Sequence, residues 1–360
     1  MFRVLLLVAL LIPAVSEASP TSTIKADQEI VFFPSVVRWL GEGKWELDIR
    51  GCVFEPDNRN VALFFLRGAL AFNHIQLNEA ENKILTERAR LFMVDHKGGR
   101  RIVVRIAGKD FDLGKSGVDG NFSKVLRLTD QDISKLSEGV GFQAVLGAKD
   151  KRVFSGELCL CKVTGVTVIS DIDDTIKLTQ VSDRRATLRY TFLEPFQPVP
   201  GMAQVYHGWA QECGAQFFYV SASPWQLFSP LDAFLRTNGF PSGAFYLKKF
   251  RWKDESVLSL FDSPEKYKPR VIEPLLEQFP KRSFILVGDS GERDPEIYGA
   301  LAREHPEQIK RILIRDVTGQ EASAERYKAA FQDLPPDLWR IFREPTEIKD
   351  ALPGVKQTAH

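Results

Sequence analysis

Two kinds of hydrophobic pattern divide the chain. From about residue 25 to residue 163, apolar and polar residues alternate with a period of two. In K-W-E-L-D-I-R-G-C-V, Trp45, Leu47 and Ile49 share one face while Glu46, Asp48 and Arg50 take the other, the mark of a half-buried strand. R-I-V-V-R-I-A-G, N-F-S-K-V-L-R-L and V-G-F-Q-A-V-L-G repeat it, with turn-formers such as S-G-V-D-G-N between them. A stretch near Ala80 to Phe92 reads as a helix. The pattern predicts a β-rich, sandwich-like domain over residues 25–163 with a helical insertion.

Beyond Gly165 the pattern changes to apolar strands alternating with helices. V-T-V-I-S leads to a helix near Met202 to Glu212. A-Q-F-F-Y-V-S leads to one near Trp225 to Thr237, stopped at Asn238 and Gly239. A-F-Y-L-K-K-F precedes a helix from about Pro269, S-F-I-L-V-G-D one from Asp294, and R-I-L-I-R-D completes the series. This predicts an α/β domain over residues 164–345, a parallel sheet with helices on both faces, and a tail from 346 to 360. In such sheets chemistry gathers at the carboxyl ends of the strands.

Composition adds constraints. The chain is 44% hydrophobic over 360 residues, enough for two cores. A formal net charge of +1 supplies no whole-molecule field for nucleic acid. Arg3, the apolar run Val4 to Val15 and the small residues Ser16 and Ala18 predict a secretory signal peptide over residues 1–18. The mature chain then begins near Ser19 and is exported, periplasmic or secreted. No later segment is long and apolar enough to span a membrane. Export permits disulfides. Cys159 and Cys161 alternate on one strand face and are poorly placed to bridge each other, so a Cys52 pairing with one of them stands beside the alternative of buried thiols. No Cys/His spacing resembles a zinc site.

The candidate chemistry lies in V-I-S-D-I-D-D-T-I-K. Asp171, Asp173 and Asp174 crowd into four positions just past the first strand of the parallel sheet. Asp289 ends the strand L-V-G-D, and Asp294 opens the next helix. Acids converging on one rim repel one another unless a cation is present, and oxygen-only ligation points to Mg²⁺.

These residues carry a resemblance. D-I-D-D-T resembles the first motif, D-x-D-x-T, of the haloacid dehalogenase phosphatase superfamily, and Y-V-S-A-S its second. Lys268 in E-K-Y-K-P-R fits the third, with Lys266 its nearest rival, and G-D-S-G-E-R-D the fourth. The fuller wording, D-I-D-D-T-I-K, Y-V-S-A-S-P-W and L-V-G-D-S-G-E-R-D-P-E-I-Y, is similar to the actin-patch-protein phosphatidate phosphatases, a lipin-like family, over roughly Gly165 to Val317. The resemblance implies a haloacid-dehalogenase-like fold, capless or with a small lid, and an aspartyl-phosphate mechanism. Asp171 would be the nucleophile and Asp173 the general acid, then base. Ser221 would donate to a phosphoryl oxygen and Lys268 would stabilise charge. Mg²⁺ would be held by Asp171, the Asp173 carbonyl and Asp289, with Asp294 orienting the ion or its water. Thr175 would brace the acid loop on the substrate side, and Asp174 would cap a turn.

G-D-S-G also invites comparison with serine proteases and a lipase family. Both need a histidine base, and none of the five histidines has the right setting.

The segment Val181 to Phe192 places Arg184, Arg185 and Arg189 beside Tyr190 and Phe192. It reads either as a lid gripping an anionic head group or as a solvated loop with an aromatic tucked inward. Thr175 to Phe217 and Ser223 to Lys268 are too short to hold a cap domain. An uncapped site admits a phosphate projecting from something large. The expectation is therefore an exported, Mg²⁺-dependent phosphatidate phosphatase acting on lipid at a membrane surface and peripheral to it. A soluble nucleotide or sugar phosphatase, and a binding module with incidental hydrolysis, are the alternatives.

Overall fold

The computed structural model describes residues 20–56, 61–136, 141–248 and 264–352. The predicted signal peptide, and residues 353–360 of the predicted tail, lie outside the described residues. The first half runs β1 (Glu29–Phe33), β2 (Ser35–Gly41), β3 (Lys44–Pro56), α1 (Val61–Phe72), α2 (Glu79–Phe92), β4 (Val94–His96), β5 (Arg101–Ile106), β6 (Lys109–Lys115), β7 (Asn121–Thr129), α3 (Asp130–Ile133), β8 (Phe142–Ala144), β9 (Ser155–Gly156) and β10 (Leu158–Cys161). One sheet is built around the long β3, which pairs with β1, β2, β4 and β7, while β10 adds to β2; the other sheet is β6-β5-β8-β9. Leu47 and Ile49 from the first sheet join Ile102 and Val104 from the second in one buried cluster. The polar face that β2 and β3 share is not given to solvent. Arg50 stacks on Tyr246, 4.3 Å from its ring centre, and Arg38 donates to the Gln278 carbonyl at 2.6 Å, so this face meets the second half of the chain.

The helical insertion is a hairpin. Its second helix, α2, was predicted; Asn78 and Glu81 form a capping box at its start. Its first, α1, was not. V-A-L-F-F-L-R-G-A-L-A-F is apolar nearly all round and offers no single stripe to read.

The second half runs β11 (Val166–Ser170), α4 (Arg184–Phe192), α5 (Met202–Cys213), β12 (Gln216–Pro224), α6 (Phe228–Thr237), β13 (Gly243–Lys248), α7 (Tyr267–Gln278), β14 (Ser283–Asp289), α8 (Asp294–Glu304), β15 (Ile309–Arg315), α9 (Glu325–Ala330) and β16 (Trp339–Phe342). The strand order is β13-β12-β11-β14-β15-β16, and every pairing is parallel. The edge strand β16 escaped the sequence reading because W-R-I-F is only four residues long. Alternate residues of β11 serve opposite faces. Val168 packs with Tyr206 and Trp209 of α5 and Leu231 of α6, whereas Ile169 packs with Ile272 of α7 and Tyr298 of α8. Helices therefore cover both faces, as the β/α alternation required.

The sheet grows from β11 in both directions: β12 and β13 lie on one side, and β14 to β16 on the other. The carboxyl ends of β11 and β14 flank this switch point, where a crevice opens in such sheets. Arg282 fixes the entry to β11, donating to the Lys162, Thr164 and Val166 carbonyls and the Thr167 hydroxyl at 2.7–2.8 Å. The expected tail is packed at its start: Ile348, Ala351 and Leu352 are buried, and Trp209 donates to the Lys349 carbonyl at 2.9 Å. Of the two alternatives for the cysteines, the disulfide is not seen: among the described residues no two cysteines are joined. Burial pushes the Cys159 thiol up to about 12 and Cys161 up to about 11. Among the described residues, no helix is long and apolar enough to cross a membrane.

Candidate active site

Asp171 follows the last residue of β11, and its N–H continues the ladder to the Val287 carbonyl at 2.9 Å. The sheet thus fixes this carboxylate, which is 1% exposed. Thr175 is fully buried and donates to Asp171 Oδ2 at 3.1 Å. It braces the Asp171 carboxylate rather than presenting its hydroxyl at the surface. Asp174 takes a left-handed conformation, φ 55°, and its carboxylate accepts from the N–H groups of Thr179, Gln180 and Val181 at 2.6–2.8 Å. That three-amide cap offsets the backbone strain and closes the acid loop into a tight turn.

The third and fourth motifs meet on the other side. Lys268, in the first turn of α7, is wholly buried while Lys266 is exposed, so Lys268 is the lysine of the site. Its ammonium contacts Asp171 Oδ1 at 3.0 Å, Glu292 at 2.9 Å and Asp294 at shorter range still. Burial opposes its charge, but Asp171, Asp294 and Glu292 outweigh burial and hold it protonated well above the ordinary range. Asp294 opens α8, with Pro295 next to it in the first turn. Its Oδ2 accepts from the Asp289 N–H at 3.2 Å and lies over Gly288, where a Cβ would come within 2.2 Å of it. Only glycine fits before Asp289, which accounts for the G-D pair.

Asp171, Asp289 and Asp294 bring carboxylate oxygens within 4.8 Å of one another. Burial pushes Asp289 well above the carboxylate range, and Asp294 and Asp171 push it further. Burial does the same to Asp171, partly opposed by Lys268. Asp289 Oδ1 accepts from Gly291 and Glu292 N–H, while Oδ2 is buried with no hydrogen-bond partner among the described residues. An unshared, fully buried carboxylate oxygen on a member of an acid cluster that holds one lysine matches the donor set of a hard divalent cation.

Asp173 points elsewhere. Its side chain is outside that trio: Oδ1 pairs with Lys177 at 2.7 Å and Thr179 at 2.8 Å, and Oδ2 accepts from Ser221 at 3.2 Å and Ser223 at 2.9 Å. Burial favours its neutral form, but Lys177 and the hydroxyls outweigh burial and hold it below the ordinary range. Any part of Asp173 in metal binding therefore falls to its main-chain carbonyl. Four partners were missed in the sequence: Lys177, Thr179, Ser223 and Glu292. Lys177, Ser223 and Glu292 stand inside quoted motifs, D-D-T-I-K, S-A-S and G-E-R-D, where position alone could have drawn attention to them.

Val181 to Phe192 is not a loop. Asp183 caps α4 through the Arg185 and Ala186 N–H groups, and Phe192 is buried. Arg189 is engaged by Glu81 of α2 and by Glu194. It fastens the two helices instead of reaching for a head group. Arg184 and Arg185 are exposed, and Arg185 donates to the His74 carbonyl at 3.4 Å.

Residues 166–316 match the family model for the catalytic domain of phosphatidate phosphatase APP1. The chain is 41% identical over 154 residues to phosphatidate phosphatase APP1 of Saccharomyces cerevisiae, an alignment covering 42% of this chain and 26% of that protein. It is 29% identical over 226 residues to an uncharacterized protein of Schizosaccharomyces pombe, covering 61% of this chain and 34% of the other. The chain therefore spans well under half the length of these curated relatives. Through residues 166–316, which hold every residue of the site just described, it is similar to the catalytic domain of the APP1 phosphatidate phosphatases.

Proposed function

We propose that the chain is a haloacid-dehalogenase-like phosphomonoesterase that converts phosphatidate to diacylglycerol and phosphate through an aspartyl-phosphate. The observation that carries this is the pair of buried carboxylates two residues apart, each beside its own buried lysine: Asp171 on Lys268, and Asp173 on Lys177 and two serines. Similarity to the APP1 catalytic domain supports the choice of ester.

A carboxylate oxygen of Asp171 attacks phosphorus, and the bond from phosphorus to the glycerol oxygen breaks. Asp173 passes a proton to the departing alkoxide. Water then attacks phosphorus, Asp173 takes its proton, and the phosphorus–oxygen bond to Asp171 breaks, restoring the carboxylate. As a carboxylate in the substrate-free site, Asp173 suits the second half. The arriving phosphate charge moves it toward the protonated form that the first half needs. Ser221, already beside Asp173, donates to a phosphoryl oxygen, and Lys268 holds Asp171 in place and offsets the negative charge of the adduct. Mg²⁺, held by Asp171, Asp289 and the Asp173 carbonyl with Asp294 alongside, would supply the remaining neutralisation of phosphate charge. Export, read from residues 1–18, belongs to the same proposal.

The test is a substrate panel with Mg²⁺: phosphatidate in mixed micelles, glycerol phosphate and a nucleotide at equal bulk concentration. Phosphatidate is expected to be turned over with the highest kcat/KM. A preference for the soluble esters would overturn the lipid reading, and no turnover of any ester would overturn the enzyme.

A further inference from the structure

Helix α1 turns large apolar side chains outward. Phe64 is 75% exposed, Phe65 50% and Phe72 81%, and the rings of Phe64 and Phe65 stand 5.8 Å apart. Leu63, Leu66 and Leu70 face the core. At about 100° per residue, Phe64, Gly68, Phe72 and Phe65 form one continuous stripe on the opposite side, with Arg67 on its border. Scattered exposed apolar residues are ordinary, but an aromatic stripe on one short helix marks a contact surface.

The border of the stripe is cationic. Arg67 donates to the Asn82 side chain and Arg185 to the His74 carbonyl, so both charges meet neutral partners. Arg184, the first residue of α4, is exposed, and the nearby Asp183 carboxylate is turned into its own helix cap. The Arg185–His74 contact also ties the end of α1 to α4. In turn, α4 begins three residues after Val181, whose N–H is held by Asp174 of the acid loop. The stripe, its arginines and the catalytic turn are thus joined through one short helix.

We propose that α1 is an interfacial anchor: Phe64 and Phe72 enter an anionic lipid bilayer, and Arg67, Arg184 and Arg185 lie at the head-group level. Aromatic residues on one face with arginines at its edge suit a helix lying in the interface plane. At 12 residues α1 is too short to span a bilayer. The anchor deepens the reading of the site as a lipid phosphatase, since it would hold the acid loop beside phosphate groups at the membrane surface.

The test is co-sedimentation of the mature chain, from Ser19 onward, with vesicles of equimolar phosphatidylcholine and phosphatidylserine, against phosphatidylcholine alone. Neither lipid is a phosphate monoester, so the measurement needs no turnover and its outcome is separate from that of the substrate panel. Wild type is expected to partition onto the anionic vesicles. A double substitution, Phe64→Ser with Phe72→Ser, should weaken partitioning about tenfold or more, with thermal unfolding unchanged. Arg184→Ala with Arg185→Ala should remove most of the preference for anionic vesicles. Equal partitioning of the phenylalanine variant and wild type would overturn the proposal. So would a wild type that ignores vesicles but self-associates through these phenylalanines, since the stripe would then belong to a second copy of the chain.

Discussion

Asp171→Asn is expected to abolish turnover of every phosphate ester without unfolding the protein. The amide keeps the carboxylate's shape and can still accept from Lys268, which lies 3.0 Å from Asp171 Oδ1. What it loses is nucleophilicity. Removing a nucleophile that acts as one unit with its proton carrier costs about 10⁴-fold or more in kcat. Stability should hold or rise, because one of several buried, mutually repelling carboxylates is gone. The check is kcat on the best substrate beside urea unfolding of both proteins. A kcat within about tenfold of wild type would mean that Asp171 does not attack phosphorus.

Lys268→Met is expected to lower stability by about 3–5 kcal/mol, measured by urea unfolding in metal-free buffer. The ammonium is fully buried and touches Asp171, Glu292 and Asp294, while Asp289 closes the same cluster. Methionine fills a similar volume but leaves these acids without their cation. The cost is therefore electrostatic rather than a packing loss. A loss below about 1 kcal/mol would show that Lys268 does not offset the acid cluster.

Much of this site could be read before the fold because strand ends are legible. An apolar run that stops at an acid announces the carboxyl end of a buried parallel strand, and Asp171 and Asp289 both do so. The choice of Lys268 over Lys266 was not legible. The two lie two residues apart at the start of a helix, about 200° around it, and only packing decides which enters the core. The partners of Asp173 were hidden for a similar reason. Lys177 and Ser223 reach it only once the acid loop and the end of β12 converge. Arg189 was misjudged because charge alone does not name a partner: Glu81 stands more than a hundred residues earlier, on a helix brought alongside by the hairpin. And α1 stayed unread because a helix apolar on both faces has no period to betray it. Its outward face carries the exposed Phe64 and Phe72.

Catalysis by Asp171 requires a transient covalent bond between its carboxylate and phosphorus. The most direct measurement quenches the enzyme in acid during turnover, reduces it with borohydride and maps the peptide by mass spectrometry. An aspartyl-phosphate is reduced to homoserine, whereas a free carboxylate is not. Homoserine is expected at position 171, dependent on substrate and absent from the Asp171→Asn variant. Turnover with no homoserine at 171, or with the label at another acid, would contradict covalent catalysis by Asp171.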